Sequence, residues 1–257
     1  MTRPPGRSLG RPRPAPGAAA PKSAPPFPIL FQDSRFLVID KPAGLPVHPG
    51  PAGGPSVESA FPLLSRRADG PWLAHRLDRD TSGCLLIALR KQALLAAQAA
   101  FAAGTVEKTY WAVVHGRPAA ESGTVRLRMA RRTSPAGWRM VEDPHGQAPL
   151  GQVPRGQESE TEWRVLASDG RQSWLALRLL TGRTHQARLH CASLGCPILG
   201  DPVYGRADGQ VLHLMSRRLA LKLTPPVAAT APPPPHIAAT LARHGWPLPP
   251  DASGPSG

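Results

Sequence analysis

Short runs of alternating hydrophobic and polar residues recur along most of the chain, separated by turn residues. Alternation with a period of two predicts a half-buried β-strand, and a short continuous apolar run predicts a fully buried one. By these patterns we predict strands over 36–40, 84–90, 108–116, 124–129, 160–167, 173–180 and 211–215. Most of these strands follow one another without an intervening helix. The sheet should therefore be largely antiparallel, because parallel neighbours need a long crossover connection.

Three segments have the composition and the glycine ends of helices. Residues 91–104 are rich in alanine and leucine, and both this segment and residues 185–195 end at a glycine. The third, residues 236–245, has apolar residues four positions apart before its final glycine. Glycine often follows the last turn of a helix because it adopts a positive φ without strain. The pattern predicts an α+β fold with a mixed, largely antiparallel central sheet and flanking helices.

The prolines concentrate at the two ends of the chain, which holds 33 in total. Nine fall in residues 1–28, together with five lysines or arginines and no acid, and ten fall in residues 225–257. A segment dominated by Ala, Gly and Pro buries too little apolar surface to order itself, so we predict a disordered basic arm over 1–28. Its role is open between a nucleic-acid tether and a solvated tail. We assign 29–245 to one folded domain and 246–257 to a flexible tail.

The charge balance indicates the kind of partner. Lys and Arg number 31 against 17 Asp and Glu, which gives a formal net charge of +14. A protein this basic usually binds a polyanion, and we expect no membrane partner, because no apolar run approaches the roughly 18 residues of a spanning helix. Three cysteines are too few for a disulfide framework and indicate a reducing compartment, so we expect a cytoplasmic protein.

Five arginines lie between Glu121 and Glu142 with no acidic residue among them. They are Arg126, Arg128, Arg131, Arg132 and Arg139. Such a run can be a merely solvated face or a phosphate-binding one. The lack of a countercharge in this stretch and the nearby Trp138 favour phosphate contact.

Several common catalytic motifs are absent from the sequence. It has no glycine-rich dinucleotide fingerprint, no P-loop and no zinc-protease helix motif. Cys191 and Cys196 are separated by four residues, a spacing that fits no common zinc pattern. We therefore expect buried structural thiols and no metal.

Two polar segments next to apolar strands carry the candidate chemistry. They are AHRLDRDTSG (74–83) and LLTGRTHQARLH (179–190). Taken singly, the first could be a tight turn and the second a helix start with Thr184 as its N-cap. Two clusters rich in Arg and His in one basic protein instead indicate a site. A carboxylate inside such a cluster stays charged and can act as nucleophile or base.

At these residues the chain resembles a known family. HRLDRDTSG (75–83) is similar to the H-R-L-D-x-x-T-S-G motif of the RluA family of pseudouridine synthases. Five further segments resemble motifs of that family in the same order: FLVIDKPAGLPVHPG (36–50), EKTYWAVVHG (107–116), LTGRTHQARLH (180–190), LGCPILGDPVYG (194–205) and VLHLMSRRLAL (211–221). Ala187 and Leu214 depart from the usual residues, both at packing positions. The resemblance identifies 29–245 as a catalytic domain with the pseudouridine synthase fold.

The resemblance implies isomerisation of uridine in RNA, in which a C5–C1′ bond replaces the N1–C1′ glycosidic bond. It implies neither a metal nor an organic cofactor. Asp78 would be the nucleophile or base, with Arg183 paired to it. Tyr110 would stack on the uracil and offer its phenol as the base for the C5 proton. The target nucleotide must flip out of its helix, and Arg76 would fill the space that it leaves.

The residues that we predict to contact RNA are Lys41, His75, Arg76, Arg126, Arg128, Arg131, Arg132 and Arg188. For His75 we expect bracing of its turn rather than proton transfer. Since 28 residues leave no room for the S4 RNA-binding domain of many relatives, the resemblance is to compact members that act on stem-loops of large-subunit rRNA or tRNA. We expect a monomer, and the sequence does not choose between the two RNA classes.

Two other functions compete with this interpretation. One is a non-catalytic RNA-binding or RNA-folding protein on the same fold, which would have no need of Asp78, Tyr110 and Arg183 together. The other is a hydrolase that uses Asp78 or Asp80 with a histidine, for which no water-activating site is recognisable in the sequence.

Overall fold

The computed structural model describes residues 25–50, 53–65, 69–135, 137–143 and 156–249. Most of the predicted arm over 1–28 and most of the predicted tail over 246–257 lie outside these ranges. At their inner edges, Phe27 and Trp246 are both buried against the domain. The packed part of the chain therefore reaches at least from Phe27 to Trp246.

Eleven strands in the described ranges form one sheet. They are β1 (Ile29–Gln32), β2 (Phe36–Lys41), β3 (Trp72–Leu73), β4 (Ser82–Ala88), β5 (Glu107–His115), β6 (Ser122–Ser134), β7 (Gly137–Glu142), β8 (Gln157–Ser168), β9 (Gln172–Leu179), β10 (Leu214–Leu221) and β11 (Val227–Thr230). Their order across the sheet is β1-β2-β4-β10-β5-β9-β8-β6-β7, with β3 beside β4 and β11 beside β10. Among these pairs β4–β10 is parallel and the others are antiparallel, which confirms the predicted α+β class.

Four α-helices accompany the sheet in the described ranges. They are α1 (Phe61–Leu64), which follows a single 3₁₀ turn over Glu58–Ala60, α2 (Lys91–Ala102), α3 (Gln186–Ser193) and α4 (Pro235–Arg243). The last three confirm the predicted helices. Each is followed by a glycine with positive φ, +67° at Gly104, +73° at Gly195 and +63° at Gly245, as the sequence pattern predicted.

β10 differs from the predicted strand over 211–215, because it runs from Leu214 to Leu221. The pattern did not predict its second half, because Arg217 and Arg218 interrupt the run of apolar residues. Arg217 is nevertheless buried, and its guanidinium carbon lies 4.3 Å from the ring centre of Trp111. A cation over an aromatic face is stabilised by the ring quadrupole, so a charged residue can occupy this central strand. Four strands were not predicted at all: β1, β3, β7 and β11.

The sheet has a hydrophobic core on each face. Leu85 and Ile87 of β4 contribute to the same core as α3, whereas Leu86 and Ala88 contribute to the core that includes α2 and α4. β5 alternates in the same way, so Tyr110 faces the side of α3. Because side chains alternate between the faces of a strand, this register decides which residues can reach the site.

Candidate active site

A cleft of about 430 Å³ opens on the α3 side of the sheet, where the two polar segments meet. His75, Arg76 and Asp78 line it from the first segment, and Arg183, His185 and Arg188 line it from the second. Tyr110 and Lys108 of β5 complete this part of the wall. The structure thus brings together residues that lie about a hundred positions apart in the chain, as the two-cluster interpretation predicted.

Asp78 lies in a tight turn that leads into β4. The Thr81 N–H donates to the Asp78 carbonyl at 3.2 Å, and two residues later Gly83 has φ +102°. A Cβ at Gly83 would lie 2.2 Å from the carbonyl oxygen of Ser216 on β10. Only glycine allows this close approach of β4 to β10. The T-S-G sequence therefore fixes the start of β4 and, with it, the position of the Asp78 turn that precedes the strand. The Asp78 side chain is 19% exposed, which keeps it accessible from the cleft.

Lys41 braces the same turn from β2. Its Nζ donates to the carbonyls of Pro42, Leu45 and Arg79 at 2.8–2.9 Å, and the residue is fully buried. Burial lowers its pKa to about 8, against the opposing charges of Asp80, Asp78 and Asp40. The predicted contact of Lys41 with RNA is therefore wrong, because all three N–H donors are used inside the protein.

Arg188 is a second correction, since it was predicted to contact RNA. It projects from α3 and makes two hydrogen bonds to Asp201, Nε to Oδ2 at 2.8 Å and Nη2 to Oδ1 at 2.7 Å. Both side chains are buried. Although burial pulls the Arg188 pKa down, the hydrogen bond and charge of Asp201 and the charge of Asp78 raise it above its usual value. Arg188 is thus an internal cation near Asp78 rather than a surface RNA contact.

Arg183 was predicted to pair with Asp78, and in the described part of the chain no ion pair joins the two. The side-chain Nε of Arg183 donates to the Glu158 carbonyl at 3.1 Å, and the backbone N–H of Arg183 donates to Gln186 Oε1 at 3.0 Å. The carbonyl of the neighbouring strand β8 holds the exposed guanidinium at the rim of the cleft. The predicted ion pair is therefore wrong for this structure, although Arg183 does line the same cleft as Asp78.

His185 belongs to the second polar segment but had no predicted role in the site, and its Nε2 lies 4.0 Å from Asp78 Oδ2. It is also the N-cap of α3, in a left-handed conformation with φ +56°, so the alternative of Thr184 as N-cap is wrong. Nδ1 lies 3.0 Å from the hydroxyl of Tyr204, and Nε2 lies 3.2 Å from Arg188 Nη1. Burial lowers its pKa, against the charge of Asp78.

Tyr110 is buried on β5, where it is in register with Ser216 of β10. Burial raises the pKa of its phenol, as do the charges of Asp78 and Cys84, against a hydrogen bond from Ser216 that lowers it. The phenol is therefore protonated at neutral pH. It lines the cleft together with Asp78 and Thr81, whose buried hydroxyl has no hydrogen-bond partner among the described residues.

His75 braces its turn, as expected. Its Nε2 accepts a hydrogen bond from the Leu86 N–H at 2.9 Å, and burial, with a contribution from Lys108, lowers its pKa to about 4. The ring also lines the cleft, so the predicted contact of His75 with RNA stays a prediction. The neighbouring Arg76 is exposed at the cleft.

The arginine run divides into two parts. Arg126 pairs with Glu160 at 2.7 Å and Arg128 with Glu158 at 3.0 Å, because these residues lie opposite each other on β6 and β8. Their predicted lack of countercharge is therefore wrong: the acids come from another strand. The remaining three arginines, Arg131, Arg132 and Arg139, lie on the hairpin formed by β6 and β7. We call residues 130–142 the basic hairpin; residue 136 lies outside the described ranges. None of the three arginines forms an ion pair with a described acid.

Trp138 of the basic hairpin contacts His185, which lines the cleft. Its ring stacks on His185, with centroids 5.0 Å apart and an interplanar angle of 22°, and the Arg131 guanidinium lies 4.6 Å from its centre. On the same hairpin the Met140 N–H donates to the Tyr204 hydroxyl at 3.0 Å. Nothing in the sequence indicated the Trp138 contact. Tyr204, in contrast, falls in the segment 194–205 that carried part of the family resemblance.

The three cysteines are free and buried, as predicted. Burial raises the pKa of Cys84 to about 12 and those of Cys191 and Cys196 as well. Over the described ranges, no three His, Cys, Asp or Glu side chains are grouped so that they could hold a metal ion. Within the same ranges, no helix has the length and apolar character needed to cross a bilayer.

Comparison with known proteins points in one direction. Residues 35–193 match the family model described as RNA pseudouridylate synthase. Over 162 residues, 62% of this chain, the sequence is 40% identical to an uncharacterized RNA pseudouridine synthase of Zymomonas mobilis, and this match covers 69% of that protein. Over 160 residues, again 62% of this chain, it is 34% identical to the ribosomal large subunit pseudouridine synthase C of Vibrio cholerae, covering 47% of it.

Comparison of the fold with solved structures gives a protein of the same family. The human RNA pseudouridylate synthase domain containing 4 superposes with a TM-score of 0.73 at 27% identity, over 86% of this chain and 94% of that one. Among curated relatives, by contrast, the chain spans about half the length of several, including 46% of the mitochondrial pseudouridylate synthase RPUSD4 of Bos taurus, a match of 33% identity over 62% of this chain.

Proposed function

This chain belongs to the RNA pseudouridylate synthase family, and from that premise we propose that it converts specific uridines in structured RNA to pseudouridine with Asp78 as its essential carboxylate. The observation that carries the proposal is the arrangement around β10. Its Ser216 is in register with Gly83, which ends the turn of Asp78, and with Tyr110. One strand thus aligns the carboxylate and the phenol on a cleft that can admit a nucleotide.

The reaction needs no co-reactant, because it is an isomerisation. The N1–C1′ bond breaks, the base turns, C5 bonds to C1′, and the C5 proton is lost while N1 gains one. Asp78 can serve as nucleophile or base, since Lys41, His185 and Arg188 lie close enough for their charges and that of Asp78 to interact. We leave open whether it attacks the ribose or the base.

Tyr110 is proposed to stack on the target uracil. It is positioned for this role because its side chain is buried in the wall of the cleft that also contains Asp78. Its raised pKa means that the phenol must first lose a proton before it can accept the one from C5.

The RNA would be bound around this cleft. A uridine inside a stem is out of reach of Asp78, so the nucleotide flips out, and exposed Arg76 next to the turn is placed to fill the vacancy. Arg183 at the rim and Arg131 and Arg132 on the basic hairpin would contact phosphates, since exposed cations attract a polyanion. Arg126 and Arg128 are left out because both are neutralised by acids.

The substrate class that we propose is a stem-loop of large-subunit rRNA, of tRNA or of both. One of the relatives is named for the large ribosomal subunit. We propose that the protein acts as a monomer. The free cysteines fit action in the cytoplasm, where thiols stay reduced.

The test is to map pseudouridines in total RNA from cells with the gene, without it, and without it but complemented by the Asp78→Asn variant. We expect one or a few sites in rRNA or tRNA to disappear on deletion and to return with the wild-type gene alone. Sites that return with Asp78→Asn would contradict the assigned chemistry. An unchanged pseudouridine map would favour the alternative of an RNA-binding protein without catalysis.

A further inference from the structure

The basic hairpin is joined to the catalytic carboxylate by a chain of contacts. Trp138 stacks on His185, and the Met140 N–H donates to the Tyr204 hydroxyl. The same hydroxyl lies 3.0 Å from His185 Nδ1, and His185 Nε2 lies 4.0 Å from Asp78 Oδ2. The two contacts of the hairpin therefore converge on one imidazole, which faces Asp78.

The proton positions on this imidazole are constrained by its neighbours. A neutral histidine carries one N–H and one acceptor nitrogen. Arg188 only donates, and its Nη1 lies 3.2 Å from His185 Nε2, so Nε2 is the acceptor. The imidazole proton then resides on Nδ1, where it is donated to the Tyr204 oxygen that also accepts the Met140 N–H. Docking of the hairpin thus supports the tautomer in which His185 holds the Arg188 guanidinium near Asp78.

The backbone of His185 also indicates a held position. Its φ of +56° is a left-handed conformation that residues other than glycine adopt at a cost. Its side chain is nevertheless held by Tyr204, Arg188 and Trp138 together. Strain of this kind persists where surrounding contacts over-determine a residue, which is typical of functional sites.

We propose that His185 is a positioning residue for Asp78 and that the basic hairpin, docked through Trp138 and Met140, sets its orientation. The proposal rests on the proposed function. The 4.0 Å separation of Nε2 and Oδ2 is longer than a hydrogen bond, so His185 acts on Asp78 by fixing the Arg188 guanidinium, whose charge interacts with that carboxylate. RNA phosphates held by Arg131, which contacts Trp138, would press the hairpin onto His185 and so align Asp78 when substrate is present.

The experiment uses the full chain and a transcript of the stem-loop that contains the mapped uridine, labelled with [5-³H]uridine. Tritium release reports loss of the C5 hydrogen in a single turnover, and filter binding reports RNA affinity. His185→Gly is suited to the test because glycine accepts the left-handed backbone, so the variant should fold. We expect its rate at saturating RNA to fall about a hundredfold. For Trp138→Ala we expect a fall of about tenfold, with Trp138→Phe closer to wild type because it can still stack on His185.

The double variant tests whether the hairpin acts through His185. If the hairpin acts through His185, adding Trp138→Ala to His185→Gly should lower the rate no further, since both act on one interaction. Ile29→Ala, which truncates an exposed apolar side chain on edge strand β1, is the control and should match wild type. Independent, multiplying losses, or a Trp138→Ala defect confined to RNA affinity, would overturn the proposal. Wild-type protein that forms no pseudouridine would instead refute the proposed function itself.

Discussion

Gly83 approaches Ser216 so closely that a Cβ at position 83 would lie 2.2 Å from the Ser216 carbonyl oxygen. Gly83 belongs to β4, which begins just after the turn of Asp78, and Ser216 is also in register with Tyr110 on the other side of β10. The space between two backbones thus controls the distance between the carboxylate and the phenol. A change there should affect both stability and catalysis.

Gly83→Ala should therefore be strongly destabilising. The methyl group meets backbone rather than a flexible side chain, and φ is +102°, so we expect a loss of roughly 2–5 kcal/mol in the free energy of unfolding. Gly104→Ala is a matched control, since φ is +67° but no atom lies within 4 Å of its Cβ position. It should cost about 1 kcal/mol. Urea denaturation of both variants makes the comparison, and equal losses would show that the close approach is unimportant.

The two acids of the turn should differ in their effects. Asp78→Asn keeps the size of the side chain but removes its charge, so pseudouridine formation should cease while RNA affinity changes little. Asp80→Asn removes an exposed carboxylate outside the cleft lining and should keep substantial activity. Tritium release and filter binding on the same transcript test both variants. Activity near wild type in Asp78→Asn would remove Asp78 from the mechanism.

Arg183 and Arg188 should separate RNA binding from stability. Arg188→Ala leaves Asp201 buried without its partner, and breaking such a pair costs about 3–5 kcal/mol. Arg183→Ala removes an exposed side chain from the rim, so it should weaken RNA binding with a loss of stability below about 1 kcal/mol. Thermal and urea unfolding measure the first difference. A large loss of stability in Arg183→Ala would indicate that it has a buried partner after all.

The two halves of the arginine run should respond differently to salt. Each phosphate contact adds roughly 0.7–0.9 to the slope of log affinity against log salt concentration. Replacing Arg131 and Arg132 by Ala should flatten the slope by about one to two units. Replacing Arg126 and Arg128, which are paired with Glu160 and Glu158, should change it much less. The same slope change in both double variants would mean that the cross-strand acids do not shield the second pair.

The sequence predicted the fold class from local patterns, and it predicted one site from the two polar segments because both are rich in Arg and His and resemble motifs of one family. Alternation identified the main strands, and glycines marked the ends of α2, α3 and α4. The composition of the first segment predicts a turn at Asp78, and the family resemblance implied that Tyr110 belongs to the same site. Neither the alternation nor the glycines required knowledge of which strands are neighbours, and the resemblance supplied the grouping of Asp78 with Tyr110.

The errors concern partners that come from elsewhere in the chain. Arg126 lacked an acid in its own segment and found Glu160 on β8. In the sequence Lys41 and Arg188 resemble RNA-binding cations, but in the structure both are buried and donate to acceptors inside the protein, the Arg79 carbonyl and the Asp201 carboxylate. His185 adopts a left-handed backbone that no sequence rule predicts for histidine. Long-range pairing and burial decide each of these cases, and neither is visible in local sequence.

The position of β10 between β4 and β5 has a consequence for the making of the protein. Asp78 and Tyr110 are synthesised first, yet the strand that spaces them comes from residues 214–221, more than a hundred positions later. A ribosome must therefore translate most of the message before the two groups can take up their working distance. A fragment that ends before residue 214 would carry Asp78 and Tyr110 without the strand that spaces them.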